Sequence, residues 1–183
     1  MRMREVVEAL DLYTANQKVL VATGVGTHQS VVARHFKFDY PDRILLTSCG
    51  HGTMGSGLGY LIGAALEMPD HLPLLITGDG SWEAGDCLSW PTVLRLRLPM
   101  RVYVLANGSF GIVRQFEDLN GIRNVATKLP PYPTTSAGLR VEMPLRTNGP
   151  MLVRIPVEDY GVWPILEASH GPDDMTQEGE SHG

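Results

Sequence analysis

Four short apolar runs in this chain each end in glycine beside a small polar residue, and that recurrence constrains the fold more than any other feature. Lys18-Val19-Leu20-Val21-Ala22 runs into Gly24-Val25-Gly26, and Arg43-Ile44-Leu45-Leu46-Thr47 runs into Gly50 and Gly52. Leu72-Pro73-Leu74-Leu75-Ile76-Thr77 meets Gly78-Asp79-Gly80, and Arg101-Val102-Tyr103-Val104-Leu105 meets Asn107-Gly108. Met151-Leu152-Val153-Arg154-Ile155 reads as a fifth strand. Runs that are apolar at every position belong to strands buried on both faces, and such strands pair in parallel with helices as crossovers. Spacing of 3.6 type predicts helices at 28–37, 56–67 and 82–96, with others from Arg2 to Tyr13 and from Gly111 to Leu119. The expected fold is α/β, a three-layer parallel sheet with helices on both faces.

In such a sheet ligands bind at the carboxyl ends of the strands, where the glycines cluster. Glycine admits a ligand close to the backbone, and amides at helix starts bind anions, so a phosphorylated ligand is expected. Gly50-His51-Gly52-Thr53-Met54-Gly55 fits the dinucleotide fingerprint G-x-G-x-x-G, which makes an NAD(P)-binding Rossmann oxidoreductase one reading. That reading needs an acidic residue closing the next strand. Glu67 and Asp70 precede that strand, and Asp79 comes late between two glycines. Asp79 and Asn107 support a different reading. Each ends a predicted strand, and together they offer a carboxylate and an amide oxygen, hard ligands suited to Mg²⁺ with phosphate oxygens.

The remaining composition narrows the classes. The chain has 183 residues, which suits one domain (residues 1–170) followed by an acidic, disordered tail (171–183). Net charge is −5, and Asp173, Asp174, Glu178 and Glu180 supply most of it, leaving a nearly neutral body with no basic face for nucleic acid. No apolar run reaches the roughly 18–20 residues of a membrane helix. The charged opening Met1-Arg2-Met3-Arg4-Glu5 argues against a signal peptide, and Cys49 and Cys87 form no metal or disulfide pattern. The expectation is a cytoplasmic protein in a reducing compartment, with both cysteines as small apolar fillers and Trp82 and Trp90 as helix packing.

Several motifs in order resemble the thiamine-diphosphate enzymes. Gly78-Asp79-Gly80-Ser81 with Ala106-Asn107-Gly108 resembles their GDG…NN motif. Gly24-Val25-Gly26-Thr27-His28-Gln29, Gly52-Thr53-Met54-Gly55-Ser56-Gly57-Leu58 and Phe110-Gly111-Ile112-Val113-Arg114-Gln115-Phe116 resemble three segments of the acetolactate (acetohydroxyacid) synthases. The likeness covers residues 18–118 and 149–156. It implies thiamine diphosphate and Mg²⁺ as cofactors, with the Asp79 and Asn107 side chains and the Ser109 carbonyl as metal ligands. It implies Gly26, Thr27, His28, Gly80, Ser81, Gly111 and Ile112 around the diphosphate, and Met54 as the apolar support of the bent cofactor. Gly52 and Phe110 complete the implied cofactor contacts. The roles of His51 and Arg114 stay open, the latter between facing substrate and pairing with a neighbouring carboxylate.

The departures carry as much information. Ala106 stands for the first asparagine of NN, and Phe116 for a tryptophan that shapes the acceptor pocket in the synthases. The stretch between Asn124 and Gly149 is shorter than the family pattern. The family also binds its cofactor between two α/β domains, and this chain resembles only the diphosphate-binding one. The catalytic glutamate of the pyrimidine-binding domain has no counterpart here, since Glu5 and Glu8 lie in no matching motif. The resemblance therefore implies a 2-oxo acid decarboxylase or carboligase completed by a pyrimidine-binding partner subunit. Split sulfopyruvate and phosphonopyruvate decarboxylases have such a two-chain arrangement. A non-catalytic, cofactor-binding remnant is the alternative.

Overall fold

The computed structural model describes residues 1–130 and 149–158. The elements in chain order are α1 (Met3–Tyr13), β1 (Val19–Thr23), α2 (Thr27–His35), β2 (Arg43–Leu46), α3 (Gly57–Glu67) and β3 (Leu72–Gly78). Then come α4 (Asp79–Ala84), a 3₁₀ turn (Asp86–Ser89), α5 (Trp90–Leu96), β4 (Arg101–Ala106), α6 (Gly111–Leu119) and β5 (Met151–Pro156). The five strands form one sheet in the order β2-β1-β3-β4-β5, and every adjacent pair is parallel.

Alternation along each strand divides the core in two. Val19, Val21, Leu74, Ile76, Tyr103 and Leu105 face the layer made by α1 and α2, together with Met3, Val6, Leu10 and Val32. Leu20, Ala22, Leu75, Val102 and Val104 face the opposite layer, with Leu58 and Leu61 of α3, Trp82 of α4 and Val93 of α5. Both faces are covered, which is why the strands read as unbroken apolar runs rather than alternating ones. Burying one such side chain contributes roughly 1.5–3 kcal/mol, so the two clusters hold the layers on the sheet.

Two local expectations change. The stretch 82–96 is not one helix: helix begins at Asp79, breaks at Gly85, passes through the 3₁₀ turn and resumes at Trp90 with Pro91 in its first turn. The break is tertiary in origin, because Gly85 lies against Gly55 so closely that a Cβ on Gly55 would fall 2.6 Å from the Gly85 Cα. Trp82 and Trp90 still pack together, edge to face, with centroids 6.3 Å apart. Cys49 is exposed, in the loop after β2, and is no core filler; Cys87 is partly buried against the second cluster. The expected tail at 171–183 and most of the shortened 125–148 segment lie outside the described residues.

Candidate functional site

The strand order reverses between β1 and β3: the chain moves outward from β1 to β2, then crosses back to β3 on the other side. At such a switch point the loops leaving adjacent strands diverge and open a crevice at the carboxyl edge. A cavity of about 210 Å³ lies there. The turn after β1 supplies Gly26, Thr27 and His28, and the loop before α3 supplies Gly52 and Met54. From the end of β3 come Asp79, Gly80 and Ser81, and from the end of β4 come Asn107, Ser109, Phe110, Gly111 and Ile112. All thirteen site residues expected from the sequence thus line one cavity. His51 and Arg114 are not among its lining residues, whereas Met3 of α1, which the sequence reading did not single out, is.

Glycines make the crevice tight. A Cβ on Gly80 would fall 2.9 Å from the Phe110 ring, and one on Gly78 would fall 2.8 Å from His28 Nδ1. On Gly111 a Cβ would press on Thr27 and Asn107, each 3.1 Å away. The helices α2 and α6 both begin at this cavity, and neither has a side chain capping its first turn. Uncapped first-turn amides are a ready site for an anion.

Asp79 is the first residue of α4 rather than the last of β3, and its side chain is buried. Its Oδ1 accepts the Gly80 N–H at 3.0 Å, its Oδ2 accepts the Gly108 N–H at 2.8 Å, and Arg154 of β5 stands 3.8 Å away. Burial pushes its carboxyl above the usual carboxylate range, and the two amides and Arg154 oppose that shift without cancelling it. A cation against the carboxylate would reverse this cost. Asn107 follows β4, with its Oδ1 accepting the Ser109 N–H at 3.1 Å across the turn at Gly108. Gly108 holds a left-handed φ of 70°, and the segment behind it is pinned where Phe110 and Leu129 amides donate to the Thr127 and Gly108 carbonyls.

Two further residues that line the cavity carry unsatisfied groups. Among the described residues the Nε2 of buried His28 has no hydrogen-bond partner, and neither has the Ser109 hydroxyl. Burial drives His28 down to about 4, against a hydrogen bond to the Gly24 backbone, so the ring is neutral at pH 7. Buried polar atoms are almost always paired, so unpaired ones on residues lining a crevice mark a place for a polar ligand. Among the described residues no three of His, Cys, Asp and Glu come together as a metal cage. A cation here would take mixed oxygens, those of Asp79, Asn107 and a backbone carbonyl such as that of Ser109, a set that suits Mg²⁺ sharing phosphate oxygens. Cradle, uncapped amides and hard donors therefore fit a diphosphate held through a divalent cation.

Asp86 was not singled out in the sequence. Its carboxylate is fully buried beneath the cavity, where it accepts the Leu58 N–H and the Thr77 hydroxyl, both at 2.9 Å. The Ser81 hydroxyl stands at 3.4 Å from it and accepts the Gly55 N–H at 3.0 Å. The dinucleotide reading meets an obstacle in the topology. The fingerprint-like loop follows β2, an edge strand, and β1 separates it from β3, so no acid closes a neighbouring strand as that reading requires.

Comparisons agree with the geometry. Benzoylformate decarboxylase from Polynucleobacter necessarius superposes with a TM-score of 0.73 at 22% identity, over 86% of this chain and 33% of that one, a likeness of fold. Acetolactate synthase isozyme 2 large subunit of Escherichia coli is 27% identical over 178 residues, 86% of this chain and 32% of the relative. The catalytic subunit of mitochondrial acetolactate synthase from Aspergillus candidus is 39% identical over 103 residues, 56% of this chain and 15% of the relative. The chain thus spans no more than about a third of the relatives it matches. Among the described residues no helix is long and apolar enough to cross a membrane. The family model for thiamine pyrophosphate enzymes, C-terminal TPP binding domain, matches residues 24–140, and the chain belongs to that family.

Proposed function

We propose that this chain is the diphosphate- and Mg²⁺-binding part of a thiamine-diphosphate-dependent 2-oxo acid decarboxylase or carboligase, completed by a pyrimidine-binding partner chain. The observation that carries the reading is the meeting of Asp79 and Asn107 at the carboxyl ends of adjacent strands, over a crevice closed by glycines. Asp79, Asn107 and the Ser109 carbonyl hold the cation. The backbone at Gly26, Thr27, His28, Gly80, Ser81, Gly111 and Ile112 receives the diphosphate oxygens. Met54 and Phe110 give the crevice an apolar wall, with Met54 Cε 3.6 Å from where a Gly80 side chain would begin. When bound, the cofactor supplies the carbon nucleophile and electron sink for decarboxylation. The chain's own task is binding, orientation and keeping water from the reacting face.

Completion by a partner rests on what this chain leaves open. Met54 at the mouth of the crevice is 37% exposed, and Val113 and Phe116 on α6 are 52% and 48% exposed, although α6 buries only Gly111. Among the described residues no carboxylate other than Asp79 lines the cavity, so the acid that would protonate the cofactor's pyrimidine must come from elsewhere. Two unpaired thiols suit a reducing, cytosolic setting.

Reconstitution tests the reading. The chain is mixed with thiamine diphosphate, Mg²⁺ and pyruvate, or another 2-oxo acid, with and without a pyrimidine-binding chain encoded beside it. Turnover only with the partner is the expected result. Turnover by the chain alone overturns the half-site, and cofactor binding without turnover under any pairing favours a non-catalytic binding protein.

A further inference from the structure

Beneath the cavity lies a carboxylate that the proposed chemistry does not use. Asp86 is 0% exposed, yet among the described residues it has no cationic partner. It accepts instead from neutral donors on separate segments: the Leu58 amide in the first turn of α3, the Thr77 hydroxyl near the end of β3, and the Ser81 hydroxyl in α4. Ser81 in turn accepts the Gly55 amide, so the chain that follows Met54 is tied at two points, Gly55 to Ser81 and Leu58 to the carboxylate. Two close approaches mark the same junction. Gly55 and Gly85 touch backbone to backbone, and a Cβ on Gly24 would fall 2.1 Å from the Ser81 hydroxyl and 2.5 Å from that of Thr77.

A buried charge is costly, and neutral side chains could fill this space with less penalty. What a carboxylate adds is two oxygens that accept at once from donors on different loops, and so fix their spacing. We propose that Asp86 is a positioning residue, a clamp that sets the distance between the Met54 loop and the Gly80–Ser81 turn. In the proposed function, on which this inference rests, the first supports the cofactor's organic portion and the second receives its diphosphate. Asp86 thereby selects thiamine diphosphate over a bare diphosphate without touching either.

The test compares the full chain with Asp86→Asn, which keeps the shape but turns one acceptor into a donor. Titrations with thiamine diphosphate and with inorganic diphosphate, both with Mg²⁺, are followed through the fluorescence of Trp82, which adjoins Ser81. Thiamine diphosphate should bind about ten-fold more weakly to the variant, the scale of losing one hydrogen bond to a charged acceptor. Inorganic diphosphate should change by less than about three-fold, because its binding does not need the Met54 loop. Equal losses for both ligands, or none, overturn the clamp. Asp11→Asn, remote from the cavity, is the control that lowers stability and leaves both affinities alone. Should Asp86→Asn fail to fold, Thr77→Val removes one of the donors and is expected to show the same selective loss. Should the unaltered chain bind no thiamine diphosphate either alone or with the pyrimidine-binding chain, the functional reading fails, and hydrogen exchange then judges the clamp: the Gly55 and Leu58 amides must exchange faster in the variant, and unchanged protection overturns it.

Discussion

The two edges of the sheet treat buried charge in opposite ways. At the amino edge, where β2 begins, Arg43 donates to the Lys37 carbonyl, the Thr14 carbonyl and the Asp11 carboxylate, and lies 4.8 Å over the Phe36 ring. At the carboxyl edge Asp79 is held above its ordinary range by burial, and among the described residues the His28 Nε2 and the Ser109 hydroxyl have no partner. A satisfied charge secures a corner of the fold, whereas an unsatisfied group is tolerated where something else is to bind. Substitutions at the two edges should separate accordingly into stability effects and ligand effects.

The largest stability effect is expected at Arg43. Arg43→Met leaves the mostly buried Asp11 carboxylate with the Lys37 amide but without its cation, at a cost of about 3 kcal/mol. Urea denaturation measures this, and thiamine diphosphate affinity should stay within about two-fold under folding conditions. Asp79→Ala is the converse. It removes the one carboxylate that lines the cavity among the described residues, so Mg²⁺-dependent cofactor affinity should fall by about 100-fold or more in calorimetry. The melting temperature of the ligand-free chain should hold or rise, because a carboxyl pushed up by burial is a native-state cost. A large drop in melting temperature with affinity retained would erase the contrast between the edges.

These residues differ in how visible they are in the sequence. Asp79 and Asn107 are legible because each stands beside glycine at the end of an apolar run, and parallel strands bring all such ends to one edge. The five strands and the helix Gly111–Leu119 follow from local periodicity, since burial on both faces leaves a local imprint. Asp86 leaves none. Its partners Leu58 and Thr77 lie 28 and 9 residues away, and nothing near it repeats. The break at Gly85 is hidden for a related reason: it comes from contact with Gly55, thirty positions earlier in the chain, so local pattern continues straight through it. Met3 enters the cavity from α1 only because that helix packs on α2, beyond the reach of a motif.

The next effect depends on pH and again belongs to the carboxyl edge. His28 titrates at about 4 in the folded chain and at 6.5 when exposed, so the unfolded state binds a proton that the native state refuses. The contribution is fully present above pH 6.5 and is lost as pH falls toward 4. From about pH 7.5 to about pH 5 the loss is ~2 kcal/mol, readable as a shift in urea midpoint. His28→Asn should flatten that part of the profile. An unaltered slope in the variant would assign the dependence to other histidines and take His28 out of the contrast.

The smallest expected effect sharpens the comparison by lying at neither edge. Tyr103 is in the middle of β4, fully buried in the layer under α1 and α2, and its hydroxyl has no hydrogen-bond partner among the described residues. Burial pushes its phenol up to about 12, so the group is neutral throughout the working range. An unpaired buried hydroxyl costs about 1–3 kcal/mol, and removing it leaves an apolar ring of the same shape. Tyr103→Phe should therefore raise stability by about 1 kcal/mol, a few degrees in melting temperature for a chain this size, with cofactor affinity unchanged. If it instead weakens cofactor binding, unpaired polar atoms matter to the ligand even away from the carboxyl edge. The distinction would then lie in burial alone, not in position along the strands.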